Sequence, residues 1–182
     1  MNQELNTNTW QEDLHFLAKE LPKQHQNLFH TMARDTFETA VAELNQRIPA
    51  LERHQVIVEL ARIVALIGDG HSRIDLSAGP NVDFRRYPLR LYLYNDGLFI
   101  QAARAEHAQA AGARVVAIGD TDIAEAYARA RQVISRDNEV WVKHVAPALL
   151  VIPEVLHSLD LIRDMQRATF TVAISTDRKS VV

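Results

Sequence analysis

Apolar residues recur at helical spacing through the first third of the chain. Leu14, Leu17, Ala18 and Leu21 fall on one face with Trp10 in line, and the run Thr9-Trp10-Gln11-Glu12 has the form of a capping box. This predicts a first helix opening at Thr9 and ended by Pro22. Lys23 to Thr31 reads as a loop whose Leu28 and Phe29 plug into a core. A second helix is expected from Asp35 or Thr36, with Phe37, Ala40, Val41, Leu44 and Ile48 as its buried stripe, and Pro49 interrupts it. A third runs from Glu52 to Ile67. Val56, Ile57, Leu60, Ala61, Ile63, Val64 and Ile67 leave it only a narrow polar face at Glu59 and Arg62. A helix this apolar packs on several sides. The first 67 residues therefore predict a small helical bundle built around it.

At Gly68 the pattern changes. This glycine is placed to cap the third helix, and Asp69-Gly70 reads as a turn. Arg73 to Ser77 alternates weakly, as a strand would, and Ala78-Gly79-Pro80-Asn81 reads as a loop. Leu89, Leu91 and Leu93 alternate with Arg90, Tyr92 and Tyr94, the pattern of a half-buried strand. Asn95-Asp96-Gly97 is a hairpin signal, with Leu98 to Ala103 as the return strand. Ala105 to Ala111 predicts a short helical turn stopped by Gly112, and Arg114 to Ile118 predicts a strand turned by Gly119-Asp120. A helix capped by Thr121 or Asp122 follows, reaching Val133. Another starts at Asp137 or Asn138, with Pro147 inside it as a point of kinking or splitting. Pro153 opens a short helix to Leu159, and Ala168 to Ile174 predicts a last strand. A helical bundle followed by a small mixed segment of strands and helices makes an α+β chain.

Composition narrows the functions open to this pattern. Apolar residues are 47% of the 182 and charged residues 24%, a balance that supports a packed core. The net charge of -3 gives no basic field for nucleic acid or anionic lipid. Arg85, Arg86 and Arg90 form the densest basic cluster, read as a solvated sheet edge rather than an anion site. Without cysteine there is neither a disulfide nor a thiolate metal site. The polar start, Met1 to Thr9, lacks the apolar segment of a signal peptide, and no run approaches the ~18 apolar residues of a membrane span. A cytoplasmic protein is expected, or an exported one if the N-terminus is incomplete. The last six residues, Asp177 to Val182, match the translation of a common sequencing adaptor. They are read as a scar, with a genuine polar tail as the alternative. On the scar reading the natural chain continues past Ser175.

Complete catalytic constellations are missing from the sequence. There is no His-Glu-x-x-His, no Gly-rich phosphate loop and no Gly-x-Ser-x-Gly elbow, and the eight histidines are scattered singly. No metal and no cofactor are expected. His25 reads as a loop histidine with a backbone partner. His71 is different in setting: it follows a rigid helix on a glycine-flanked turn, where an imidazole can project and take a proton from a hydroxyl nucleophile. The bland alternative is an ordinary loop histidine. Asp69 either orients the His71 ring or holds the loop as an Asx turn, and Ser72 reads as a turn hydroxyl.

Several segments together resemble a known family. They are Trp-x-x-Asp-Leu at 10–14, His-x-Asn-Leu-Phe at 25–29, the Phe37 helix, and Ile-Gly-Asp-Gly-His-Ser at 67–72. Their order is similar to the N-terminal region of the tail-specific, or C-terminal processing, serine peptidases, in the tricorn-core-like branch with Asp-Gly-His. The segments Asp-Gly-Leu-Phe-Ile at 96–100 and Ala-Gly-Ala-Arg-Val-Val-Ala-Ile-Gly-Asp at 111–120 resemble that branch's reduced PDZ-like unit. The resemblance spans residues 10–174. It implies that His71 is the general base for a serine in a later α/β domain, which is absent from this chain. One departure is Gly70, where the tricorn core has serine.

On this reading residues 1–72 are the helical bundle ending in the Asp-Gly-His turn, 73–176 a PDZ-like or linker segment with helices, and 177–182 the scar. The resemblance implies hydrolysis of peptide bonds in proteins by the full-length parent, with this chain inactive alone. The PDZ-like strands near 98–118 would then hold a substrate tail, or serve only as a linker. The alternatives are a non-catalytic peptide-binding or scaffold module, and a pseudo-enzyme whose turn only shapes the fold. Protein or peptide is the expected partner, with no nucleic acid or membrane. The oligomeric state is left open, and an exposed edge at 168–174 would favour association.

Overall fold

Glu52 begins the most buried helix of the chain with a reciprocal cap: the Gln55 side chain accepts the Glu52 N–H at 2.9 Å, and the Glu52 side chain accepts from the Gln55 backbone. The computed structural model in which this is seen describes residues 7–77 and 82–173. The predicted loop at 78–81, the last residue of the predicted final strand, most of the polar start and the adaptor-like 177–182 lie outside them. The fold is α+β. It divides into two units, one running to Leu76 and taking in Gln132–Glu139, the other formed by Ser77–Arg131 and the chain from Val140 onward.

The first unit is the expected bundle. Its helices are α1 (Thr7–Gln24), α2 (Arg34–Arg47) and α3 (Arg53–Ala65), with a 3-10 turn at Ile48–Ala50 where Pro49 interrupts. They meet around Leu14, Phe37, Leu44, Ile48, Val56, Leu60 and Ile63. Two local expectations fail in α1. It is already helical at Thr7, so Thr9 stands in the first turn and not at the cap. It also continues through Pro22. Proline removes one hydrogen bond of the last turn, and the ladder resumes with His25 N–H to Leu21 O at 3.0 Å. Leu28 is buried beside Val64 and Ile67, as a plug into the core requires. Glu59, expected on a polar face, is buried and accepts from both Arg47 (3.0 Å) and Arg62 (3.2 Å), a pairing that a carboxylate needs inside a core. Arg73–Ser77 forms no strand. Its side chains alternate in burial, but it has no ladder partner among the described residues.

The second unit is an antiparallel sheet with three helices. The strands are β1 (Leu89–Tyr94), β2 (Gly97–Ala103), β3 (Arg114–Ile118), β4 (Thr121–Asp122) and β5 (Phe170–Ala173). The β1–β2 hairpin closes on Asn95-Asp96, pairing Tyr94 with Gly97, and a bulge shifts the register between Arg90 and Leu91. β2 pairs with β3, which also pairs with β4 and β5. The helices are α4 (Ile123–Arg131), α5 (Glu139–Leu149) and α6 (Pro153–Ser158). Asp122 caps α4, its Oδ1 accepting the Ala124 N–H at 2.8 Å. Pro147 lies inside α5 without splitting it: Leu150 N–H still reaches Ala146 O at 3.0 Å.

Candidate functional site

The Asp-Gly-His turn is fixed from several directions. α3 ends with Ile67 N–H on Val64 O and Gly68 N–H on Ala65 O, a tightening into 3-10 bonds. Gly68 then takes φ +71°, and a Cβ there would lie 2.7 Å from Thr31 Oγ1. Both the backbone angle and the space demand glycine. The Thr31 hydroxyl donates to Ile67 O, tying the turn to the loop after α1.

Asp69 is the hub of the turn. Its Oδ1 accepts the backbone N–H of His71 at 2.8 Å, and its Oδ2 accepts the Ser72 hydroxyl at 2.7 Å. Oδ2 also lies 3.1 Å from His25 Nε2. Donation from the His71 N–H and then from the Ser72 hydroxyl holds the Asp69 carboxyl well below its ordinary range against the opposing effect of burial, with a smaller contribution from His25. Of the two roles left open for Asp69, its oxygens perform the Asx turn: they hold the backbone of His71, not its ring. Ser72 is a turn hydroxyl that donates to a carboxylate.

His25 has the expected backbone partner and one the sequence did not suggest. Its Nδ1 accepts the Asn27 N–H at 3.1 Å, so its proton sits on Nε2 and points at Asp69. The ring stacks on His30 at 6.1 Å between centroids and 7° between planes, and His30 Nδ1–H donates to Asn27 O at 2.8 Å. The only hint in the chain was the His-x-Asn spacing; a partner 44 residues away leaves no local mark.

Gly70 is favoured by a close approach and not by its backbone angle. Its N–H donates to Asp137 Oδ1 at 2.9 Å, and a Cβ would meet Asp137 Oδ2 at 2.5 Å. At the residue that departs from the tricorn-core pattern, a side chain would thus require the Asp137 carboxylate to move. Asp137 comes from the segment Gln132–Glu139, which is also tied to the bundle by the Arg62 guanidinium on the Gln132 side-chain oxygen.

His71 itself is exposed, and its ring has no hydrogen-bond partner among the described residues. The turn therefore presents an imidazole on a backbone fixed at residues 68, 70 and 71. Such a group can exchange a proton with an incoming hydroxyl. Among the described residues no three His, Cys, Asp or Glu side chains converge as a metal site would need.

A second feature lies within the other unit. β1 is the terminal strand of the sheet order, and a groove of about 780 Å³ separates it from α5. Residues 89–93 form one wall; Val140, Lys143, His144, Pro147 and Ala148 form the other. Of the two roles left open for the strands near 98–118, holding a substrate tail or serving as a linker, strand addition has no open edge there, because β2 is flanked by β1 and β3, and β3 by β2, β4 and β5. β1 pairs only with β2 and so has a free edge among the described residues, and β5, which pairs only with β3, is a second edge strand. No helix among the described residues is long and apolar enough to cross a membrane. Compared with known proteins, the chain matches no family model and no curated protein.

Proposed function

We propose that this chain is part of a serine-type peptidase in which His71 is the general base. The nucleophilic serine would be carried by a further domain of the parent polypeptide. The carrying observation is the exposed His71 ring on a turn whose backbone is held by Asp69 and Asp137. In the reaction His71 takes the serine proton as the hydroxyl attacks the scissile carbonyl, then gives it to the departing amine. Asp69, engaged by its own three donors, acts only on the position of the His71 backbone. The resemblance of residues 10–174 to tail-specific peptidases supports this reading, and the departure at Gly70 weighs against a close copy of the tricorn-core site. The experiment is peptide hydrolysis by the full-length parent before and after His71→Gln. Removal of a general base predicts a loss of about 10²–10⁴ in kcat/KM. An unchanged rate would sink the assignment.

A second reading is a peptide-binding module without catalysis. The groove beside the free edge of β1 favours it, since an extended segment laid along β1 would pair with its outward backbone groups. Amide shifts at residues 89–93 on addition of an extended peptide would support this reading. Shifts confined to other residues would remove it.

A further inference from the structure

Within the groove beside β1 the charges are all of one sign. The cations Arg86, Arg90 and Lys143 line it beside the His144 ring, and no carboxylate does. All four are exposed. Arg85, next to them in sequence, is already neutralised: its Nε lies 2.8 Å from Glu154 Oε1, and its N–H donates to Glu154 Oε2 at 3.0 Å. Arg86, Arg90 and Lys143 have no such carboxylate among the described residues. In a chain of net charge -3, this is a local reversal of sign. Arg85, Arg86 and Arg90 are neighbours in the sequence, but the fold separates them into a structural ion pair and a rim of free cations.

The same groove exposes apolar surface. Val140 is 74% exposed on α5, and Tyr92 is 46% exposed on β1 with its ring 4.6 Å from that of Tyr94. The wall positions Val140, His144 and Pro147 follow helical spacing on the face of α5 toward β1. An edge strand, an apolar wall and an uncompensated cationic rim are together what an extended acidic polypeptide would need. The strand supplies backbone pairing, and the rim supplies counter-charges for alternate side chains.

We infer that the groove between β1 and α5 takes up an extended, acidic polypeptide segment as an added strand on β1. This rests on the peptide-binding reading above and adds the chemical class of its occupant. Carboxylates of the segment would approach Arg86, Arg90, Lys143 and His144, and its apolar side chains would cover Val140 and Tyr92. Selection by charge on exposed groups is moderate and weakens with salt.

The test uses the whole chain and three fluorescent eight-residue peptides alternating valine with glutamate, glutamine or lysine. The glutamate peptide is expected to bind about tenfold more tightly than the glutamine one at low salt, with the lysine peptide weakest. Its advantage should shrink at 300 mM salt, where screening shortens to below about 8 Å. The double variant Arg90→Glu with Lys143→Glu should reverse the preference; both residues are exposed, and an unchanged circular dichroism spectrum checks the fold. Amide shifts at 89–93 should accompany binding. Equal binding of the glutamate and glutamine peptides, with those shifts, would overturn the acidic class and leave strand uptake intact. No binding by any peptide, or binding without shifts at 89–93, would overturn both.

Discussion

The imidazole of His25 meets the carboxylate of Asp69 at 3.1 Å from Nε2 to Oδ2, across 44 residues of chain. Because Nδ1 of the same ring accepts the Asn27 N–H, the ring cannot flip without losing a bond. Asp69 in turn fixes the His71 N–H and the Ser72 hydroxyl. The loop after α1 and the turn after α3 are thus joined by this side-chain pair as well as by the Thr31 hydroxyl on Ile67 O.

The tautomer is set by this pair. At neutral pH, long-range proton–nitrogen NMR should find neutral His25 protonated on Nε2 and His30 on Nδ1. A spectrum with His25 protonated on Nδ1 would mean that the Asn27 contact is not as described, and the link to Asp69 would lose its donor.

Acid should weaken the bundle through Asp69. Its carboxyl titrates lower in the folded chain than the usual 3.8, so the folded state binds fewer protons there than the unfolded state. The sign is therefore fixed: the contribution is complete above about pH 4 and fades as pH falls through the lower folded value. Urea unfolding between pH 6 and pH 2 should show a steeper loss for the native chain than for Asp69→Asn. Parallel curves would show that Asp69 is not the group responsible.

The bundle and the hairpin were readable because their signals are local. Helical spacing in 10–21 and 56–67, alternation in 89–94 and the Asn95-Asp96-Gly97 turn each act within a few residues. The pairs that shape the candidate site are not local. His25 with Asp69, Gly70 with Asp137 and Arg47 with Glu59 join separate elements, and nothing in spacing marks them. Arg73–Ser77 shows the limit of alternation: it reports which side chains face inward, and a strand needs a neighbour as well. Whether a strand near 98–118 lies at an edge or inside the sheet is unmarked for the same reason, since that is a property of the whole sheet.

The contact between Gly70 and Asp137 should behave as a coupled pair. Gly70→Ala places a methyl 2.5 Å from Asp137 Oδ2 and should destabilise by about 1–3 kcal/mol. Asp137→Ala removes the acceptor of the Gly70 N–H and should lose about 1 kcal/mol. In the double variant the clash has no partner, so the combined loss should be smaller than the sum. Strict additivity in a denaturant-based cycle would separate the two residues and remove Asp137 as the reason for glycine at 70.

His71 offers the sharpest separation of folding from chemistry. Its ring is exposed and makes no hydrogen bond among the described residues, whereas its backbone N–H is held by Asp69. Replacing the ring keeps the backbone bond, so His71→Gln should change unfolding stability by less than about 0.5 kcal/mol. Asp69→Ala, which removes the acceptor for three donors, should cost about 1–3 kcal/mol. Ser72 itself should take up no fluorophosphonate, because its hydroxyl is held in donation to the Asp69 carboxylate. If His71→Gln proved as destabilising as Asp69→Ala, the ring would have a structural partner. Its freedom to serve a hydroxyl nucleophile would then be lost. Stability intact in that variant, together with loss of the proposed hydrolysis, is the combination that a general base on a prefixed turn requires.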